Sequence, residues 1–284
     1  MKSKKSKKRG TEYMQLGNVS ASSMIGMAIS GLIAIGLPVF LLLYVKFKEK
    51  AKVNLFFIGA AVFVVAVMML EQVCHFLVFG LTNGKIVENL WLYALYGGLA
   101  AAVFEETARF LTLKIFDRKA KLPLDKTGAF LYGIGHGGAE SILLAGIACI
   151  NSLTTSVMLN SGTLEANLKN VDAAAREQAM TQIQGLVDAP VISFYMVGVE
   201  RIFALILQIA FSLLMYQAIK QGKKSLILLT YALHFLVDAS VVIVQNYLNL
   251  VAVECYVAFI TAVVGVITYT VWQKYGEKGK MGNI

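Results

Sequence analysis

Apolar residues run along this chain in long blocks separated by short polar connections. The blocks cover about Met24–Tyr44, Val53–Phe79, Leu90–Phe116, Gly128–Leu159, Val191–Tyr216, Ser225–Gln245 and Leu248–Trp272. Each is long enough for a helix to cross a hydrocarbon core of about 30 Å. Lipid satisfies no backbone group, so each block must close its own hydrogen bonds as an α-helix. A membrane β-barrel would instead show short strands of alternating polarity. The pattern therefore predicts an all-α polytopic membrane protein, a bundle of about seven transmembrane helices, with six to eight as the range. The longest blocks imply tilt or extra turns beyond the bilayer.

Outside the blocks the chain divides simply. Residues 1–20 read as a basic flexible tail, with Lys2, Lys4, Lys5, Lys7, Lys8 and Arg9 ahead of any long apolar run. Residues 21–284 read as a single transmembrane helical domain, and 160–190 as a soluble or interfacial insertion. Within that insertion Leu164, Leu168, Val171, Ala175, Ile183 and Leu186 fall near helical spacing. Asp172 stands where it can cap a helix through the DAAAREQ run. The insertion is either an interfacial helix or a lid over a lateral opening.

Composition agrees, at 57% hydrophobic residues and a mean hydropathy of +0.67. The formal net charge of +9 lies in connections and tails, so it reports orientation in a bilayer and implies no nucleic-acid partner. Lys46, Lys48, Lys50 and Lys52 fill the first connection, and Arg118, Lys119, Lys121 and Lys126 the third. Lys220, Lys223 and Lys224 fill the fifth, with Lys274, Lys278 and Lys280 in the C-terminal tail. Positive-inside then predicts N-out and C-in, although the basic N-terminal tail argues the other way. Cys74, Cys149 and Cys255 stand singly within apolar blocks and are expected to be buried, inert thiols.

Against this background a few charged residues stand out. Glu105, Glu106 and Arg109 sit inside the third block. Facing lipid, the three would cost roughly 8–10 kcal/mol, so they must face protein or water. His136 with Glu140, and His234 with Asp238, are two further pairs. In each pair the residues are four apart and share a helix face. Counted along their helices, Glu106, His136 and His234 all lie about 12–16 Å from the cytoplasmic ends. Matched depth on three helices predicts one shared cavity, expected to open toward the cytoplasmic half. Gly133, Gly135, Gly137 and Gly138 remove bulk around His136. Glu200 and Arg201 read either as a structural ion pair or as support for the site. Glu71 and His75 read as core residues about 15 Å or more above the motif level.

Three ordered motifs carry a resemblance: EETAR at Glu105–Arg109, YGIGHGGAE at Tyr132–Glu140 and HFLVD at His234–Asp238. The chain resembles intramembrane proteases of the YhfC type, relatives of the CAAX prenyl endopeptidase/Abi and PrsW families. The resemblance implies an intramembrane endopeptidase in a bacterial plasma membrane, acting on membrane-embedded or membrane-proximal protein substrates. It assigns Glu105 as general base on a water, assisted by His136, with Glu106 and Arg109 holding the cluster. His234 would stabilise the tetrahedral intermediate and Asp238 would orient it, so Asp238→Asn is expected to slow turnover about 10²-fold. Tyr132 takes the aromatic place of the CAAX motif and Glu140 the acidic place of the PrsW motif. Asp238 departs from the asparagine common in CAAX enzymes. No cofactor is favoured. Zn²⁺ is the alternative, with His136, Glu140, His234 and Glu105 as its ligand set. Rival classes are an ion- or proton-coupled transporter and an immunity or scaffold protein without activity.

Overall fold

The computed structural model describes residues 17–118, 124–169 and 171–275. Most of the basic N-terminal tail, together with Lys119, Lys121, Lys278 and Lys280, lies outside the described residues. Every regular element among the described residues is helical. The long helices are α1 (Ala21–Lys48), α2 (Asn54–Thr82), α3 (Leu90–Asp117) and α4 (Lys126–Asn160), followed by α5 (Ala173–Asp188), α6 (Val191–Lys220), α7 (Lys224–Val244) and α8 (Leu250–Tyr275). Six of them are long and apolar enough to cross a membrane. α3 has the length, at 28 residues, but carries Glu105, Glu106 and Arg109 in its apolar run. With α3, the bundle has the seven long apolar-patterned helices that the sequence marks.

Side-chain caps fix where several helices start. Asn89 accepts from the amides of Trp91 at 3.0 Å and Leu92 at 3.1 Å ahead of α3. Asp125 accepts from Gly128 N at 2.6 Å ahead of α4. Asp172 accepts from Ala175 N at 3.0 Å ahead of α5, as the DAAAREQ run predicts. Each such cap is worth about 1 kcal/mol. α5 is largely exposed and buries Ile183. The three thiols are free; Cys149 is buried, but Cys74 is half-buried and Cys255 exposed, against the expectation that all three are buried.

α6 is the axle of the bundle. Buried residues make up 67% of its apolar window, against 22% or 28% for the other five apolar spans. Exposed Leu32, Phe40, Phe76, Leu81 and Val266 face outward, as a lipid-facing girdle requires. The lysine-bearing connections gather at one end, where Lys220 pairs with Asp117 at 3.0 Å. Just inside that end, Leu113, Phe116, Tyr132, Leu214, Met215 and Ile219 form a continuous buried cluster.

α4 lies unusually close to α2, and glycine makes that possible. A Cβ on Gly135 would strike the Phe56 carbonyl, and one on Gly59 the Tyr132 carbonyl. Backbone cannot swing aside as a side chain can, so overpacking here costs about 1–3 kcal/mol. Gly135→Ala should lower the thermal unfolding midpoint of the detergent-purified protein. An unchanged midpoint would contradict this packing.

Two stretches depart from α geometry, Val64–Glu71 in α2 and Ser141–Gly146 in α4, and both form π turns. Glu71 ends the first and Glu140 immediately precedes the second. π turns recur beside functional sites because they redirect a side chain without breaking the helix.

Candidate active site

Four helices deliver the site. α3 contributes Glu105, Glu106 and Arg109, α4 His136 and Glu140, α6 Arg201, Gln208 and Ser212, and α7 His234 and Asp238. Glu106, Arg109, His136 and Ser212 are fully buried. Charges so deep persist only when paired and hydrogen-bonded.

Arg109 is the hub. Its Nε donates to both carboxylate oxygens of Glu106, at 3.1 and 3.2 Å. Its Nη1 donates to the Gln208 carbonyl at 3.0 Å and to the Ser212 hydroxyl. Its Nη2 donates to Gln208 Oε1 at 2.5 Å and lies 3.8 Å from Glu105 Oε2. All three guanidinium nitrogens are thus occupied, and the planar fork locks α3 onto α6.

The two glutamates hold different partners. Glu106 Oε1 meets His234 Nδ1 at 2.7 Å. Glu105 Oε2 accepts from Gln208 Nε2 at 2.8 Å and meets His136 Nε2 at 2.9 Å. Glu105 Oε1 faces His234 Nε2 at 3.8 Å. One oxygen of Glu105 is therefore fixed by α4 and α6, while the other points toward the open-side nitrogen of His234. Aromatic rings clamp both imidazoles. Phe211 stacks on His234 with centroids 4.7 Å apart. Tyr132 stacks on His136 at 5.9 Å, and Phe63 meets it edge-on at 5.3 Å.

Asp238 meets His234 at the ring nitrogen that Glu106 leaves free. Its Oδ2 lies 3.4 Å from Nε2 of His234, and Nδ1 belongs to Glu106. Two carboxylates thus flank the imidazole, Glu106 at Nδ1 and Asp238, with a side chain 35% exposed, on the Nε2 side. Glu140 Oε1 pairs with Arg201 at 3.1 Å, and its Oε2 accepts from Gln208 Nε2 at 2.9 Å. Arg201 also binds Glu200 at 2.5 Å, which makes Glu200 part of the outer support.

Gln208 was invisible in the sequence as a site residue, yet it bridges Glu105, Glu140 and Arg109. A faint signal existed. Arg201, Gln208 and Ser212 fall seven and four apart on an otherwise apolar span, which puts them on one helix face. Glu71 is likewise closer than its depth suggests. It is buried, its Oε2 lacks a hydrogen-bond partner, and it lies within electrostatic reach of Glu105, Asp238 and His234. His75 is half-buried rather than a core residue; it stacks on Phe79, bonds to the Tyr96 hydroxyl at 2.6 Å and lies 3.3 Å from Glu71 Oε1.

The cavity that reaches the site runs the opposite way from the expected one. It ends at Asp238 and Glu140 and is lined by Gln245, Leu248 and Leu250, at the lysine-poor end. The apolar cluster around Leu113, Phe116 and Met215 closes the lysine-rich end.

A buried carboxylate–histidine–arginine site held by four helices defines a polytopic membrane protein with the machinery of acid–base chemistry. Residues 33–272 match the YhfC intramembrane metalloprotease family, and the chain belongs to it. It is similar to the "Uncharacterized membrane protein YhfC" of Bacillus subtilis strain 168. The two are 35% identical over 250 residues, covering 86% of this chain and 94% of that protein. No solved structure matches the chain.

That family's description names a metal, and the donor set can be tested against one. Among the described residues no group of three or more His, Cys, Asp or Glu is placed to hold a metal ion. Glu140 turns away to Arg201 and Gln208. Nε2 of His136 is engaged by Glu105, and its Nδ1 lacks the acceptor that usually orients a ligating imidazole. Arg109 already supplies a cation beside both glutamates. The arrangement does not fit zinc.

Proposed function

We propose that this protein is an intramembrane endopeptidase that hydrolyses peptide bonds of membrane-associated proteins with a glutamate-activated water. The observation that carries this reading is the asymmetry of Glu105. Oε2 is held by His136 and Gln208, and Oε1 faces His234 Nε2. Oε1 is thus the oxygen that takes a proton from water as the water attacks the scissile carbonyl carbon. Nε2–H of His234 donates to the carbonyl oxygen as it becomes an oxyanion. Glu106 accepts from Nδ1–H, so the ring that also donates from Nε2 is the imidazolium, whose positive charge Glu106 supports. The protonated Glu105 then gives its proton to the departing nitrogen, which completes the cleavage.

The lysine distribution supports an N-out, C-in orientation, with the cavity mouth on the outer side. α5 lies on the same side, in the connection between α4 and α6. Because the donors do not suit a metal, hydrolysis should survive its removal. The test uses purified protein in nanodiscs with a single-span peptide substrate, before and after exhaustive chelation. Activity should persist within about twofold, well inside the tenfold that 1.4 kcal/mol represents. Loss on chelation with recovery by stoichiometric Zn²⁺ would reverse the metal-free mechanism and leave the peptidase reading standing.

A further inference from the structure

Beside the proposed reacting groups lies a cavity of about 530 Å³, a size that accepts a short stretch of peptide. It begins against Asp238, 3.4 Å from His234 Nε2, and against Glu140, which Gln208 joins to Glu105. Whatever occupies it therefore lies next to the reacting bond. Its walls carry four carboxylates, Glu140, Glu200, Asp238 and Glu254, and a single cation, Arg201. Arg201 binds Glu140 and Glu200 through its two terminal nitrogens, and its buried Nε lacks a hydrogen-bond partner.

Glu254 is the unexplained member. It borders this cavity at 8% exposure, yet its Oε2 has no hydrogen-bond partner. A carboxylate oxygen left unpaired at that burial is costly, and a donor from a bound molecule would satisfy it. A compact metal ion is a poor candidate, since no three acidic or histidine donors are placed to hold one among the described residues. The remaining walls include Leu207, Val241 and Val257. Apolar walls ending in carboxylates suit a long side chain with an apolar stem and a cationic head.

Resting on the peptidase reading, we propose that this cavity is a specificity subsite for a basic residue, lysine or arginine, of the substrate, placed close to the scissile bond. The stem lies along Leu207, Val241 and Val257, and the ammonium or guanidinium donates to Glu254, with Glu200 at the mouth. A lysine within a membrane span is expensive to leave in lipid. A substrate that carries one gains twice by placing it here, from relief in the bilayer and from the Glu254 contact.

The test measures binding and cleavage in the same samples. Fluorescent single-span peptides differ only in placing Lys or Gln at successive positions through the middle of the span. They are titrated against wild-type protein and Glu254→Gln in nanodiscs. At one or two adjacent positions the Lys peptide should bind the wild type about tenfold tighter than the Gln peptide, a difference of 1.4 kcal/mol. In Glu254→Gln the two peptides should bind alike. Equal binding of Lys and Gln peptides by the wild type at every position overturns the subsite, and that comparison needs no variant to fold. The same Lys preference in Glu254→Gln also overturns it. Lysine-dependent binding without cleavage keeps the subsite and removes the peptidase reading. Cleavage indifferent to lysine does the reverse.

Discussion

Glu105→Gln should slow peptide hydrolysis by about 10³-fold, within the 10²–10⁴ that a positioned general base contributes. Glutamine keeps the size of the side chain, and its oxygen still accepts from His136 Nε2 and Gln208 Nε2. The network around Arg109 is anchored chiefly by Glu106, so the fold should stand. What disappears is the carboxylate oxygen that faces His234 Nε2 and accepts a proton. Turnover in nanodiscs, with thermal unfolding as a control, reads the effect. A folded Glu105→Gln protein within tenfold of wild type would remove Glu105 as the base.

The second large effect separates two carboxylates around one imidazole. Glu106→Gln should lower turnover by about 10²-fold or more, as loss of the orienting carboxylate does in hydrolytic triads. The same change leaves the buried Arg109 without its main counter-charge, and breaking a buried pair costs about 3–5 kcal/mol. Asp238→Asn should cost less than tenfold, because its carboxylate is the more distant of the two on the ring, 3.4 Å from Nε2, and its side chain is partly open to the cavity. The sequence favours the opposite order, since HFLVD pairs His234 with Asp238 one helical turn away. Through-space contact from α3 wins: Glu106 stands at 2.7 Å from the imidazole and Asp238 at 3.4 Å. Turnover of both variants, normalised to folded protein, decides between them. An Asp238→Asn loss as large as that of Glu106→Gln would restore Asp238 as the orienting group.

The bundle was legible because lipid thickness sets helix length, and the apolar blocks match the observed helices to within a few residues. The convergence of Glu105, Glu106, His136 and His234 was legible for a similar reason, since ionisable groups in a bilayer must find one another. Three features were not. Gln208 is uncharged and one of two amides in the span from Val191 to Lys220, so it carries no electrostatic alarm, although it ties three site residues together. The reach of Glu71 to Glu105, Asp238 and His234 depends on how its helix packs against the neighbours, which a residue count along one helix does not contain. The direction of the cavity depends on how Leu113, Phe116, Tyr132 and Met215 from three helices close over one end. That is a many-body packing outcome, and periodicity along a single helix does not contain it.

The central claim is that this site adds water across a peptide bond inside the membrane. Its most direct test is mass spectrometry of a single-span peptide incubated in nanodiscs with the wild-type protein and, in parallel, with Glu105→Gln. The wild type should yield two fragments whose masses sum to that of the peptide plus one water, and Glu105→Gln should leave the peptide intact over the same time. Fragments appearing equally in both samples, or in neither across peptides with and without a mid-span lysine, would contradict it.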